Sequence, residues 1–197
     1  MKSTCAILFA AMAAAVPAPV PATGPFGSAT NPLRFIGRLN VPGGNLPGST
    51  GTTVDANSRS FWFGKYTWTY SELKTPQANT DTTIFRMAVG EGTLFLDTQD
   101  VEGQAVYVNP DGELKFRAFH PFNGEADDAI YKGFDVVEHV TKLQFEGKDF
   151  IACPVGAKDS GDYQIFAASR AHTAKENCTP FEWKNEFTTK PAAYSYI

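Results

Sequence analysis

Gln104-Ala-Val-Tyr-Val-Asn-Pro-Asp-Gly-Glu-Leu-Lys-Phe-Arg-Ala-Phe119 sets two short runs, each rich in apolar residues, on either side of Asn109-Pro110-Asp111-Gly112. Pro fixes φ, and Asp and Gly favour reversal, so the stretch predicts an antiparallel hairpin of Gln104 to Val108 against Glu113 to Phe119. Alternation then places Leu114, Phe116 and Ala118 toward a core and Lys115 and Arg117 toward water. Working outward, the same period of two recurs. Leu33, Phe35 and Leu39 alternate with Arg34 and Arg38, Tyr163 to Ala167 gives another strand, and Thr82 to Val89 and Thr93 to Leu96 lie around Gly90 and Gly92. Gly64-Lys65 suits a tight turn between Phe61–Phe63 and Tyr66–Tyr70, because Gly tolerates positive φ. Residues 146–149 separate Leu143–Phe145 from Phe150–Cys153, which are expected to pair with each other. Ser169 to Asn177 suits a short helix or a loop equally.

About ten short strands result, without a sustained apolar period of 3.6. The predicted fold is all-β: a single antiparallel β-barrel or β-trefoil-like domain, with a β-sandwich as the alternative. Composition agrees. Seventeen glycines, thirteen prolines and sixteen phenylalanines in 197 residues suit strands and turns, and 43% hydrophobic with 19% charged residues suits one folded domain. The formal charge of −4 disfavours nucleic acid and anionic lipid as partners.

After Lys2, Cys5 to Val16 is an apolar run of twelve residues in which Ala13, Ala14 and Ala15 supply the small residues of a cleavage site. A spanning helix needs about 20 apolar residues, so the run reads as a secretory signal peptide over 1–15 rather than as a stable membrane insertion. Residues 16–31, rich in Pro and Ala, are expected to be a flexible N-terminal segment, and 32–197 the all-β domain. Without Lys2 the chain carries 16 basic and 21 acidic side chains, net −5. Lys190 to Ile197 offers no hydrophobic tail of lipid-anchor length, so release to the outside is expected. Cleavage also removes Cys5. The two remaining cysteines, Cys153 and Cys178, then meet an oxidising environment and are expected to form one disulfide. Asn177-Cys178-Thr179 is formally an N-glycosylation sequon at Asn177, and a disulfide at its middle residue competes with glycan transfer.

The segments Gly92–Asp97, Gln104–Leu114, Phe145–Pro154, Tyr163–Ala167 and Asn177–Phe181, in that order, resemble the fungal PhiA-type cell wall proteins. Arg34–Leu39 and Ser60–Lys65 resemble the opening strands of that family. The resemblance implies a secreted, cell-wall-associated protein linked to asexual spore-bearing cells, with similar proteins described as allergens or elicitors of plant defence. It implies no reaction and supplies no catalytic residue.

The residues themselves lead the same way. His120, His139 and His172 are scattered, no hydrolase or P-loop motif occurs, and Ser169 beside His172 lacks a third orienting group. Glu125, Asp127 and Asp128 lack the spacing of a calcium loop and read as a solvated loop. Catalytic residues, metal ligands and cofactors are therefore all expected to be none. In the aromatic run Phe61 to Tyr70, Trp62 faces away from Phe61 and Phe63 and is the candidate glycan contact. Tyr66, Trp68 and Tyr70 share one face, which reads as core packing, with a sugar-binding platform as the alternative. The expected function is a non-catalytic, wall-associated secreted protein whose partners are wall polysaccharide or wall proteins. The alternatives are a host-directed effector with a receptor, a polysaccharide-binding module, and a small glycoside hydrolase.

Overall fold

The computed structural model describes residues 26–44, 46, 52–71, 80–99, 103–117, 128–156, 161–171 and 177–197. The segment expected to be a signal peptide, Ala118, Phe119, His120, Glu125, Asp127 and His172 lie outside the described residues. Fourteen strands follow in chain order: β1 (Leu33–Asn40), β2 (Asp55–Asn57), β3 (Ser60–Phe63), β4 (Thr69–Tyr70), β5 (Phe85–Met87), β6 (Phe95–Leu96) and β7 (Gln104–Val108), then β8 (Leu114–Phe116), β9 (Phe134–Val137), β10 (Lys142–Phe145), β11 (Phe150–Pro154), β12 (Tyr163–Ala167), β13 (Thr179–Phe187) and β14 (Ser195–Tyr196). Among the described residues no helix is present.

Nine of these strands close on themselves in the order β1-β5-β6-β7-β8-β3-β12-β11-β13, with β13 returning to β1, and every pairing is antiparallel. Closure removes the sheet edges that a sandwich would leave open. The β7–β8 hairpin forms as its turn chemistry predicts, Val106 facing Phe116 and Val108 facing Leu114, with Gly112 at φ 89°. Leu114 and Phe116 are fully buried. The barrel is filled rather than hollow, in keeping with its strand number. Phe61 lies 5.4 Å from Phe85 and 5.3 Å from Phe116, and Trp183 lies 5.0 Å from Phe85 and 5.3 Å from Phe150 between ring centroids. Such contacts add about 0.5–1.5 kcal/mol per pair beyond burial.

Two expected hairpins are not formed. Tyr66–Tyr70 does not return along β3; β3 pairs with β2, β8 and β12, while β4 pairs with β14. The reversal lies earlier, at Ser58 and Arg59, both with positive φ (52° and 62°), the geometry of a type I′ turn made without glycine. Nor do β10 and β11 pair with each other. Both lie along β13, Leu143 opposite Trp183 and Phe150 opposite Phe181, while the segment between them folds out through a tight bridge from Phe145 to Lys148. The other edge of β13 carries β1 from Asn40–Glu182 to Phe35–Phe187. Nine residues long, β13 is the longest strand and the seam of the barrel, and it was not among the strands expected from the sequence.

On the face of that seam opposite Phe181 and Trp183, Lys142 Nζ sits 3.1 Å from Glu182, 3.0 Å from Asp149 and 3.7 Å from Glu138. Lys142 and Asn40 donate to Glu182 and hold its carboxyl down to about 2. A carboxyl held low in the fold stabilises it above the ordinary carboxyl range and loses that contribution as pH falls toward 2. Cys153 at the end of β11 and Cys178 before β13 form the expected disulfide, with Cα atoms 4.2 Å apart. Closing a loop of this size is worth about 3.5 kcal/mol in the chain-entropy account.

Candidate functional site

The segment from Lys65 to Ser71 leaves the barrel wall at a corner set by Gly64. Its φ of 92° and the approach of the Gly161 carbonyl, 2.2 Å from where a Cβ would stand, admit only glycine. Beyond the corner the backbone is pinned from three sides. Trp68 N–H donates to Ala56 O, Ile197 N–H donates to Trp68 O, and Asn57 Nδ2 donates to Tyr66 O. Strand β4 then pairs with β14, Tyr70 opposite Ser195 and Thr69 opposite Tyr196.

Alternation along this segment puts the threonines inside and the rings outside. The Ala56 amide donates to Thr83 Oγ1 at 2.8 Å, Thr83 lies 2.7 Å from Thr67 Oγ1, and Thr67 donates to Asp55 Oδ1 at 2.8 Å. With each hydroxyl accepting one hydrogen and donating another, these groups form a chain ending on the carboxylate. Thr69 is held likewise, donating to Thr80 O and accepting from Thr80 N–H. Tyr66, Trp68 and Tyr70 therefore project to solvent, 90%, 54% and 50% exposed. This corrects the expectation that they pack in the core, because the inward positions are taken by hydroxyls that Asp55, Thr80 and Thr83 require.

Trp62 is corrected in the opposite direction. It does face away from Phe61 and Phe63, but it is only 7% exposed: its indole N–H donates to Asn57 O at 2.9 Å, and Lys65 Nζ lies 3.2 Å from the ring centroid. A cation over an indole face is a favourable contact that leaves no room for a sugar there. Of the three tryptophans, only Trp68 presents its ring to water, since Trp183 is fully buried. The remaining candidates are dispersed. Asn177 is exposed with φ 72° beside the disulfide, and His139 and Asp128 are exposed on separate turns. Among the described residues no group of three His, Cys, Asp or Glu side chains is placed to hold a metal ion.

Asp55 is a residue that sequence reasoning missed, since an acidic side chain opening a three-residue strand carries no signal of burial. It is 8% exposed, and burial pushes its carboxyl up to about 6 against the opposing hydrogen bonds from Thr67 and Thr53. An acid whose folded pKa is raised binds its proton more tightly in the fold, so its ionisation weakens the fold as pH climbs from about 4 through 6. Asp55→Asn keeps an oxygen for Thr67 and removes the charge. It is expected to raise stability at pH 7–8 by up to about 3 kcal/mol, with the gain vanishing near pH 4. Thermal unfolding of both proteins from pH 4 to pH 8 checks this, and a difference independent of pH would show that Asp55 does not titrate.

A family model for PhiA-like secreted proteins matches residues 50–197, which takes in every strand from β2 to β14 and the whole aromatic row. No curated protein and no solved structure matches the chain. The match extends over well more than half of the sequence, and the chain belongs to the PhiA-like secreted protein family.

Proposed function

We propose that the protein is a non-catalytic component of the fungal cell surface, held at the wall by non-covalent contacts and associated with asexual spore-bearing structures. The observation that carries this reading is the exposed row of Tyr66, Trp68 and Tyr70 on a pinned segment of a secreted barrel. Because the barrel interior is filled by phenylalanine and tryptophan rings, contacts with a partner are confined to the outside. Asp55, the buried acid nearest the row, accepts hydrogen bonds from Thr67 and Thr53, a bracing role rather than proton delivery to a substrate.

Fractionation of the native protein tests the reading. A wall-bound pool released by detergent, salt or reductant is expected, together with a pool in the medium, and the wall pool should be larger in spore-bearing cultures than in vegetative hyphae. Protein found solely in the medium would favour a host-directed role instead. Protein released only after digestion of wall polysaccharide would replace non-covalent retention by a covalent glycan link.

A further inference from the structure

We propose that Tyr66, Trp68 and Tyr70 form a binding strip for a neutral, β-linked pyranose polymer of the wall. The inference deepens the wall-association reading by naming the ligand class, and it rests on that reading only for where the polymer is met.

Three features select this ligand. The rings occupy alternate positions along one run of backbone, so neighbouring rings are spaced by about 7 Å and the strip is about 13 Å long where the chain is fully extended. A strip one side chain wide and several rings long fits a linear repeating chain. A protein partner instead needs a broad patch, about 800 Å² per side in a standard interface. The rings are also amphipathic: each offers an apolar face for the axial C–H groups of a pyranose, while the two phenols and the indole N–H remain at the rim for its hydroxyls. β-Linked pyranoses present flat C–H faces along the chain, which is the surface such a row stacks against. Finally, charge argues against a polyanionic glycan, because the protein is net negative and Lys65, the cation adjacent to Tyr66 in sequence, is engaged over Trp62.

The strip is ordered before any ligand arrives. Its backbone is bonded to Ala56, Ile197 and Ser195, and its inward threonines are bonded to Asp55, Thr80 and Thr83, so little conformational freedom remains to be lost.

Depletion assays with insoluble β-1,3-glucan and insoluble chitin test the strip on the purified secreted protein. Trp68→Ala is expected to weaken binding about tenfold and Tyr66→Ala about threefold or more, while Phe187→Ala, an exposed ring elsewhere, leaves it unchanged. Because Tyr66 is 90% exposed, its substitution keeps the test valid should Trp68→Ala impair folding. A soluble β-linked oligosaccharide should shift the tryptophan emission to the blue. Trp68→Phe should abolish that shift while keeping most of the affinity, since the stacking face survives.

Failure of the wild type to bind either polymer, or binding by Tyr66→Ala and Trp68→Ala equal to that of the wild type, would overturn the strip. So would loss of retention on native walls by these variants when purified polymers bind none of the proteins, which would assign the row to a wall protein. Wall association itself is judged separately, by fractionation: polymer binding in vitro by a protein absent from the wall would overturn that reading and leave the strip standing.

Discussion

Gly64→Ala is expected to destabilise the protein by about 4 kcal/mol and to lower its melting temperature by about 10 °C. Two costs add. A left-handed backbone conformation costs a residue with a Cβ about 1–2 kcal/mol, and Gly64 has φ 92°. In addition, the new methyl would stand 2.2 Å from the carbonyl oxygen of Gly161 and 3.0 Å from its carbonyl carbon, atoms of backbone that cannot swing aside. Relief requires moving β3 away from β12, which are in register at Phe63–Tyr163 and Trp62–Gln164. Gly90→Ala separates the two costs. Gly90 has a similar φ of 83°, yet a Cβ there meets nothing within 4 Å, so only the conformational part applies. Thermal unfolding of both variants should show the larger loss at Gly64, and equal losses would show that the contact with Gly161 carries nothing. Because Gly64 sets the direction in which the chain leaves the barrel, Gly64→Ala should also weaken polymer binding at temperatures where it remains folded.

That corner marks where the sequence stops being readable. The β7–β8 hairpin is legible because its reversal is local and carries Pro, Asp and Gly in the places a turn needs them. The β2–β3 reversal is just as local, but Ser58-Arg59 holds two positive-φ residues without the Gly or Asn that announces such a turn. Gly64 bears the expected signal and uses it for a different purpose, a close approach to Gly161. Strand β13 fails differently. Phe181 and Trp183 alternate with Glu182, Lys184 and Glu186 as regularly as any strand in the chain, and the pattern was readable. Pro180 at its start discourages a strand reading, although it lies beyond the pairing with β1, which begins at Glu182. Which strands β13 joins is set by long-range pairing that no local pattern encodes.

The aromatic row was legible as a row but not as a surface. Tyr66, Trp68 and Tyr70 sit on one face in either register, and large rings are ordinarily interior. What decides the register is the polar half of the alternation: Thr67 and Thr69 turn inward because acceptors at buried Asp55 and half-buried Thr80 await them. Those partners lie about a dozen residues away on either side, and their burial depends on the closed barrel. The disulfide needed no such knowledge, since compartment and cysteine count sufficed.

Tyr196→Ala is expected to cost about 4 kcal/mol and lower the melting temperature by about 10 °C, because the ring is fully buried in the barrel core. Its hydroxyl accepts from the Ile84 amide at 3.1 Å and donates to Thr82 O at 3.4 Å. Burial holds the phenol protonated well above its usual range, so this arrangement is insensitive to pH over the whole interval in which Asp55 titrates. Tyr196→Phe keeps the packing and leaves the Ile84 amide without its acceptor, for an expected loss of about 1–3 kcal/mol. The backbone of the same residue is clamped by Gln104, which accepts from Tyr196 N–H at 2.7 Å and donates to Tyr196 O at 3.0 Å and to Arg117 O at 2.8 Å. Tyr196 thus ties the last strand to β5, β7 and the end of β8, and that strand backs the aromatic row through Tyr70–Ser195 pairing and the Ile197–Trp68 bond. The loss in Tyr196→Ala should therefore be local before it is global: amide hydrogen exchange should quicken at Trp68 and Ile197 while the β1–β13 seam stays protected. Uniform acceleration across both regions would show that the C-terminal strand unfolds only with the whole barrel. A melting temperature equal to that of the wild type would show that the Tyr196 ring does not anchor the strand at all.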